Sequence, residues 1–175
     1  MTAVTLHAIT VLGHDRPGII AETTDRLAGL GLNLEDSTMT LLRGHFAMTL
    51  VCEGAAGDAE IEAALAPLTT DGTLTVTVRE VPVEQVPAAD GTSWILSVHG
   101  GDRPGIVSAV VGVIAAVGGN ITDLTTRLAG ELYLLVAEVD LPGDADVAAV
   151  ERDLAAVAAD LGVGVTLRAA ETDEL

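Results

Sequence analysis

The sequence Asp15-Arg16-Pro17-Gly18-Ile19 recurs as Asp102-Arg103-Pro104-Gly105-Ile106, at an offset of 87 residues (from 15 to 102). Five residues after the first motif have identical counterparts at this offset, without a gap: Gly31, Asn33, Asp36, Thr38 and Leu41 match Gly118, Asn120, Asp123, Thr125 and Leu128. Near the end of each copy, Leu74, Val76 and Val78 align in the same way with Leu161, Val163 and Val165. Self-similarity of this extent indicates a tandem repeat, so the chain contains two copies of one unit.

Each copy predicts the order strand, helix, strand, strand, helix, strand. In the first copy a β-rich segment, residues 5–12, ends at Gly13, and Pro17 is expected in the first turn of the following helix. Gly31 ends that helix. A βαββαβ order packs two helices on one face of a four-stranded antiparallel sheet, the ferredoxin-like arrangement of the α+β class. We predict unit 1 at residues 1–81, a linker rich in proline at 82–91 and unit 2 at 92–175.

The charge of the chain excludes some classes of partner. It has 8 Lys and Arg residues against 26 Asp and Glu residues, a formal net charge of −18. All the basic residues are arginines, and they are scattered along the chain. Because phosphate recognition depends on clustered basic residues, we do not expect direct binding to nucleic acid. The apolar fraction of 49% indicates a globular protein rather than a disordered acidic one.

Three features bear on where the protein functions. The first ten residues lack the charged and apolar segments of a secretion signal. The most apolar stretch, residues 106–117, is too short to cross a bilayer. The single cysteine, Cys52, can form no internal disulfide and has no metal-ligand spacing around it. We therefore expect a cytoplasmic protein without a membrane span, and we predict no metal or cofactor.

The segment between the first strand and the first helix offers polar chemistry. In unit 1 this segment, residues 13–18, is called loop 1, and its counterpart at residues 100–105 is loop 2. Unpaired N–H groups and the positive end of the helix dipole meet there, which suits a carboxylate. Asp15 in loop 1 can receive an ammonium group, and Asn33 offers a donor and an acceptor. Alternatively, Asp15 satisfies only N–H groups of the turn, and Asn33 is a turn residue after the helix.

The two loops differ at one position. His14 precedes the motif in loop 1, whereas Gly101 precedes it in loop 2. His14 either contacts a ligand or is a solvated loop residue. Gly18 and Gly105 lack a Cβ, so a ligand or another backbone can approach the helix start, although turn geometry alone can also require glycine. Because Gly100 and Gly101 leave more room, loop 2 is the preferred candidate.

The order of elements and the repeated motif resemble tandem ACT domains, small modules that sense amino acids in bacterial metabolism. The segments that carry the resemblance are the two Asp-Arg-Pro-Gly-Ile motifs, residues 33–36 and residues 120–123. Two such units without a catalytic domain are similar to the glycine cleavage system repressor group. Membership of that group implies regulation through a protein partner.

The resemblance also implies a ligand and its position. A small amino acid, of the glycine or serine class, is expected where the first loop of one unit meets a neighbouring unit. The candidate ligand-binding residues are His14, Asp15, Arg16, Pro17, Gly18, Ile19 and Asn33 in unit 1, and Gly101, Asp102, Arg103, Pro104, Gly105, Ile106 and Asn120 in unit 2.

Catalysis is not expected. None of the serines has a Gly-x-Ser-x-Gly context, and there is no lysine to form a Schiff base. An assembly or adaptor module that binds no ligand remains the alternative to an amino-acid sensor.

Unit 2 is more apolar than unit 1. Residues 132–137 are apolar on both faces of a predicted strand, whereas a sheet covered on one side should alternate. The predicted helix at 106–117 is nearly apolar all round, while its counterpart carries Glu22, Asp25 and Arg26. We expect a second copy of the chain to cover unit 2 in a homodimer. The alternative is that the two units of one chain cover each other.

Overall fold

The computed structural model describes residues 5–83 and 91–170. The chain divides into two compact units, residues 1–85 and 86–175. Most of the predicted linker, residues 84–90, lies outside the described residues, and the first strand of unit 2 begins at Gly91. The limits of the linker therefore stay a prediction.

Both units have the predicted order of elements. Unit 1 contains β1 (Thr5–His14), α1 (Ile19–Gly29), β2 (Asn33–Leu42), β3 (His45–Gly54), α2 (Asp58–Leu65), a short 3-10 helix (Ala66–Thr69) and β4 (Leu74–Val81). Unit 2 contains β5 (Gly91–Gly101), α3 (Ile106–Ala116), β6 (Asn120–Ala129), β7 (Leu132–Pro142), α4 (Val147–Leu161) and β8 (Val163–Ala169).

Each unit has one four-stranded sheet in which all neighbours are antiparallel. The strand orders are β2-β3-β1-β4 and β6-β7-β5-β8. The first and second strands of a unit are thus separated by the third, as a ferredoxin-like βαββαβ fold requires. The predicted α+β fold is confirmed. In both sheets the pairing of the edge strand shifts by one residue near its start, between Leu34 and Asp36 and between Ile121 and Asp123.

The core of each unit lies between the sheet and its helices. In α1 the buried residues are Ile19, Thr23 and Leu27, and in α3 they are Ile106, Val110 and Ile114. Both sets are spaced four residues apart, so they form one stripe on each helix. The third strands bury every second residue, which is typical of a sheet covered on one face. Periodicity alone therefore explains which face is buried.

The repeat is not aligned at a constant offset to its end. Gly13 pairs with Leu74 in unit 1, whereas the counterpart of Gly13, Gly100, pairs with Val163 in unit 2. The offset is thus 89 rather than 87 in the last strand, and the predicted match of Leu74 with Leu161 is wrong. Leu161 is the last residue of α4, a single helix of 15 residues that replaces α2 and the 3-10 helix. The two additional residues lie before α4, since α4 begins 89 residues after α2 (58 to 147), just as β8 begins 89 residues after β4 (74 to 163).

The apolar excess of unit 2 lies on its sheet rather than on its helix. The exposed residues of α3 are small or polar, namely Ser108, Gly112, Ala115 and Ala116, while its valines are at least half-buried. In contrast, the outward-facing residues of β7 are large: Leu132 is 45% exposed, Leu134 38% and Val136 49%. Among the described residues, no helix is long and apolar enough to span a membrane.

A close approach of two strands at Gly13 provides a test of the fold. A Cβ on Gly13 would overlap the backbone carbonyl of Thr73, and the φ angle of Gly13 is 152°. We expect Gly13→Ala to destabilise the protein by about 1–3 kcal/mol, because backbone atoms must move. Gly29→Ala, where a Cβ would meet nothing within 4 Å, should instead be neutral or stabilise α1 by up to about 1 kcal/mol.

The measurement is urea unfolding of both variants alongside the original protein. Equal midpoints for Gly13→Ala and Gly29→Ala would show that the strand contact does not constrain this loop.

Candidate functional site

Both loops turn sharply between a strand end and a helix start. Gly18 and Gly105, each the residue before a helix, have φ angles of 91° and 94°. These angles lie in the left-handed region that favours glycine, which explains the glycine in each motif. Pro17 was predicted in the first helical turn, but α1 begins at Ile19. Pro17 instead lies in the turn before the helix, because the left-handed glycine comes between them.

The starts of α1 and α3 have no side-chain cap. By contrast, α4 is capped by Asp146, whose carboxylate accepts a hydrogen bond from the Ala149 N–H at 3.0 Å. Within the described ranges, neither Asp15 nor Asp102 takes part in a hydrogen bond or ion pair, and both are exposed. The alternative in which Asp15 satisfies N–H groups of the turn is therefore wrong. The helix starts and both carboxylates are available to other groups.

The arginines of the two motifs have different surroundings. Arg16 donates from Nη2 to Oε2 of Glu22 at 3.2 Å, and Arg26 donates to the other oxygen of Glu22 at 3.0 Å. These hydrogen bonds, from Arg26 first and then Arg16, lower the pKa of Glu22. Arg103 of unit 2 has no acidic partner in the described part of the chain. Its guanidinium lies near Gly162, at the carboxyl end of α4, where the helix dipole favours a cation.

Loop 2 borders a cavity of about 270 Å³. The residues that line it include Asp102, Arg103, Ser108 and Tyr133. Ser108 donates a hydrogen bond to the carbonyl of Gly105 at 3.1 Å, so its oxygen can still accept. The Tyr133 hydroxyl has no partner among the residues that the structure describes. The residues that line the cavity therefore include one with a carboxylate, one with a guanidinium and two with hydroxyls.

Sequence reasoning missed Tyr133. This residue lies on β7, directly opposite Gly100 in the register of the sheet, so only the fold places it beside loop 2. At the offset of 87 its counterpart is Phe46, which is buried in the core of unit 1. The replacement of a phenylalanine by a tyrosine at one position of the repeat was the signal that could have identified it.

The structure does not bring the predicted asparagines to the loops of their own units. Asn33 begins β2, after the carboxyl end of α1, and α1 is about 16 Å long from its 11 residues. The Asn33 amide donates a hydrogen bond to Glu35 instead. Asn120 lies at the corresponding end of α3 and is exposed. A site with both a loop and an asparagine would need residues from two units.

Among the histidines and the cysteine, His14 alone lies within one of the two loops. His14 is exposed and faces His45 across the β1–β3 pair. His7 is buried and contacts Oδ1 of Asp58 through Nδ1 at 2.8 Å. Burial raises the pKa of the Cys52 thiol, with a smaller contribution from Glu35, which disfavours the reactive thiolate. Across residues 5–83 and 91–170, no group of three or more His, Cys, Asp or Glu could hold a metal ion.

Comparison with known proteins gives concordant matches. The ACT domain family matches residues 6–79 and 93–168. The glycine cleavage system transcriptional repressor of Escherichia coli (strain K12) is 25% identical over 161 residues, which cover 87% of this chain and 84% of that protein. Its similarity extends over both units.

Two solved structures are similar over nearly the whole chain. A crystal structure of an unknown protein from Galdieria sulphuraria has a TM-score of 0.79 and 28% identity, and covers 97% of this chain and 100% of that one. A structure described as a candidate glycine cleavage system transcriptional repressor has a TM-score of 0.68 and covers 97% of this chain and 99% of that one. Its identity is 16%, so this likeness shows the fold alone. The resemblance inferred from the motifs is confirmed, and the chain belongs to the ACT domain family, with two ACT domains in tandem.

Proposed function

We propose that this protein is a regulatory sensor that binds a small amino acid at loop 2 and acts through a protein partner. ACT domains imply a regulatory role with amino-acid binding. The observation that carries the proposal is that Asp102 and Arg103, two opposite charges without a partner among the described residues, line one cavity beside an uncapped helix start. A zwitterionic ligand needs both charges at once.

The cavity has a complementary group for each end of an amino acid. Its carboxylate receives hydrogen bonds from the Arg103 guanidinium and from N–H groups at the start of α3, since both carry positive charge. Its ammonium group donates to the Asp102 carboxylate. Hydroxyls of Ser108 and Tyr133 are available to a ligand side chain such as that of serine. The volume of about 270 Å³ is large enough to admit glycine or serine.

The charge of the chain bears on how a signal is passed on. The Escherichia coli relative is named as a transcriptional repressor, but this chain has a net charge of −18 and no lysine. An acidic surface is repelled by nucleic-acid phosphates. We therefore propose that regulation occurs through contact with another protein. That partner would bind the ligand-bound and ligand-free forms of the sensor with different affinities.

The outer face of the unit 2 sheet supports a homodimer. Leu132, Leu134 and Val136 point away from the core of unit 2 and are exposed. On the neighbouring edge strand β6, Leu132 pairs with the apolar Ala129, whereas Leu134 pairs with the charged Arg127. The apolar surface therefore extends onto β6 at Ala129 but not at Arg127. An exposed apolar row of this kind is typical of an interaction surface. A second copy offers the same row and buries both.

Amino-acid binding is tested by thermal unfolding in the presence of common amino acids. A ligand that binds only the folded state at 100 times its Kd stabilises that state by about 2.7 kcal/mol. The largest shift is expected from serine or glycine. Asp102→Ala should weaken binding by about 10- to 100-fold, because a charge-assisted hydrogen bond is lost. Asp153→Ala, an exposed carboxylate on α4, is the matched control and should bind as the original protein does.

Absence of any shift across the common amino acids would overturn the sensor and favour the adaptor alternative. Equal affinity of Asp102→Ala and Asp153→Ala would remove Asp102 from the site.

The homodimer is tested by light scattering at micromolar concentration. We expect a mass twice that of the 17.8 kDa chain. Val136→Glu places a charge in the exposed apolar row and should shift the mass toward the monomer, since a buried unpaired charge is costly. Ile20→Glu on α1, which is 45% exposed before substitution, controls for an added charge elsewhere. A monomeric original protein, or a dimer that tolerates Val136→Glu, contradicts this surface.

A further inference from the structure

We propose that amino-acid binding is confined to unit 2, because the Glu22 side chain of unit 1 already occupies the place that the ligand carboxylate takes in unit 2. The proposal rests on the proposed function, since it assumes that the protein binds an amino acid. It goes further by stating which unit binds and what blocks the other one.

In unit 1 the cationic groups are already paired. One oxygen of the Glu22 carboxylate accepts from Arg16 at 3.2 Å, and the other accepts from Arg26 at 3.0 Å. Glu22 also lies in the first turn of α1, where the helix dipole stabilises a negative charge. The motif arginine, which would attract a ligand carboxylate, is thus already paired with a carboxylate of the chain itself, in the first turn of the helix.

In unit 2 the corresponding acid is absent. The counterpart of Glu22 at the offset of 87 is Ala109, and the first turn of α3 contains no acidic residue. The counterpart of Arg26 is Val113, so Arg103, the counterpart of Arg16, has no second arginine beside it at that helix position. Arg103 lines the cavity without an acidic partner within the described residues. A ligand carboxylate can therefore complete the arrangement that Glu22 completes in unit 1.

The polar lining also differs between the units. Ser108 and Tyr133 line the cavity of unit 2, whereas their counterparts at the same offset are Ala21 and Phe46. Phe46 is only 2% exposed and carries no hydroxyl. Unit 1 therefore lacks the two hydroxyls as well as the free guanidinium. A ligand entering loop 1 would have to displace Glu22 from two arginines and would gain fewer hydrogen bonds in return.

The experiment is titration calorimetry of the full chain with L-serine as the probe. We expect about one serine per chain. Ala109→Glu introduces into unit 2 the acid found in unit 1, and it should weaken binding by at least about 10-fold, because its carboxylate competes for Arg103. Ala109→Gln has nearly the same size without the charge and is the matched control, with an affinity within about threefold of the original. Thermal unfolding without ligand verifies that each variant is folded.

A second variant removes the cation instead of blocking it. Arg103→Gln should weaken serine binding by about 10- to 100-fold, and it keeps the test decisive if Ala109→Glu does not fold. Two serines per chain in the original protein, equal affinities of Ala109→Glu and Ala109→Gln, or unchanged binding by Arg103→Gln would each overturn the confinement to unit 2. No binding of serine or of other common amino acids by the original protein would instead overturn the proposed function itself.

Discussion

The contact between the end of the first strand and the start of the last strand controls the geometry of each loop. At Gly13 the backbone leaves no room for a Cβ against Thr73, and the next N–H, that of His14, donates to the Thr73 carbonyl at 2.9 Å. At Gly100 a Cβ would meet the Val163 side chain. Because these contacts hold the first strand against the last strand up to the glycine, the chain leaves the sheet at that residue in both units. The position at which the chain leaves the sheet in turn determines where the helix starts and where the side chains of the motif lie.

Most of the fold could be predicted because it depends on local patterns. Alternation of apolar and polar residues identifies strands, and apolar residues spaced four apart identify the buried stripe of a helix. Because the two units repeat one sequence pattern, the fold of one predicts the fold of the other. The predictions were wrong where the backbone conformation of a turn or a difference in length between the units determines the position of an element. Pro17 is compatible with a first helical turn, but the left-handed Gly18 delays the helix start. The change of offset in the last strand follows from two extra residues before the start of α4, which an alignment without gaps cannot represent.

The candidate site was harder to predict than the fold because its side chains come from separate elements. Asp102 and Arg103 share a conspicuous motif, but Tyr133 reaches the same cavity from β7, across the sheet. Asn33 shows the opposite error, since proximity to the helix in sequence suggested proximity to the loop in space. It lies at the other end of α1. Such relations depend on strand order and helix length, which become available only with the complete topology.

The two units share one backbone fold but differ in the charged side chains around the start of the first helix. An arginine near a helix start attracts a carboxylate. The two copies of the unit differ in whether the chain itself provides that carboxylate. In unit 1 the carboxylate is covalently part of the helix, so its effective concentration is high and the arrangement is a structural ion pair. In unit 2 the helix supplies alanine at that position, and Arg103 has no acidic partner among the described residues. One side chain, that of Glu22, thus separates the loop that stabilises its own helix from the loop that we propose as the binding site.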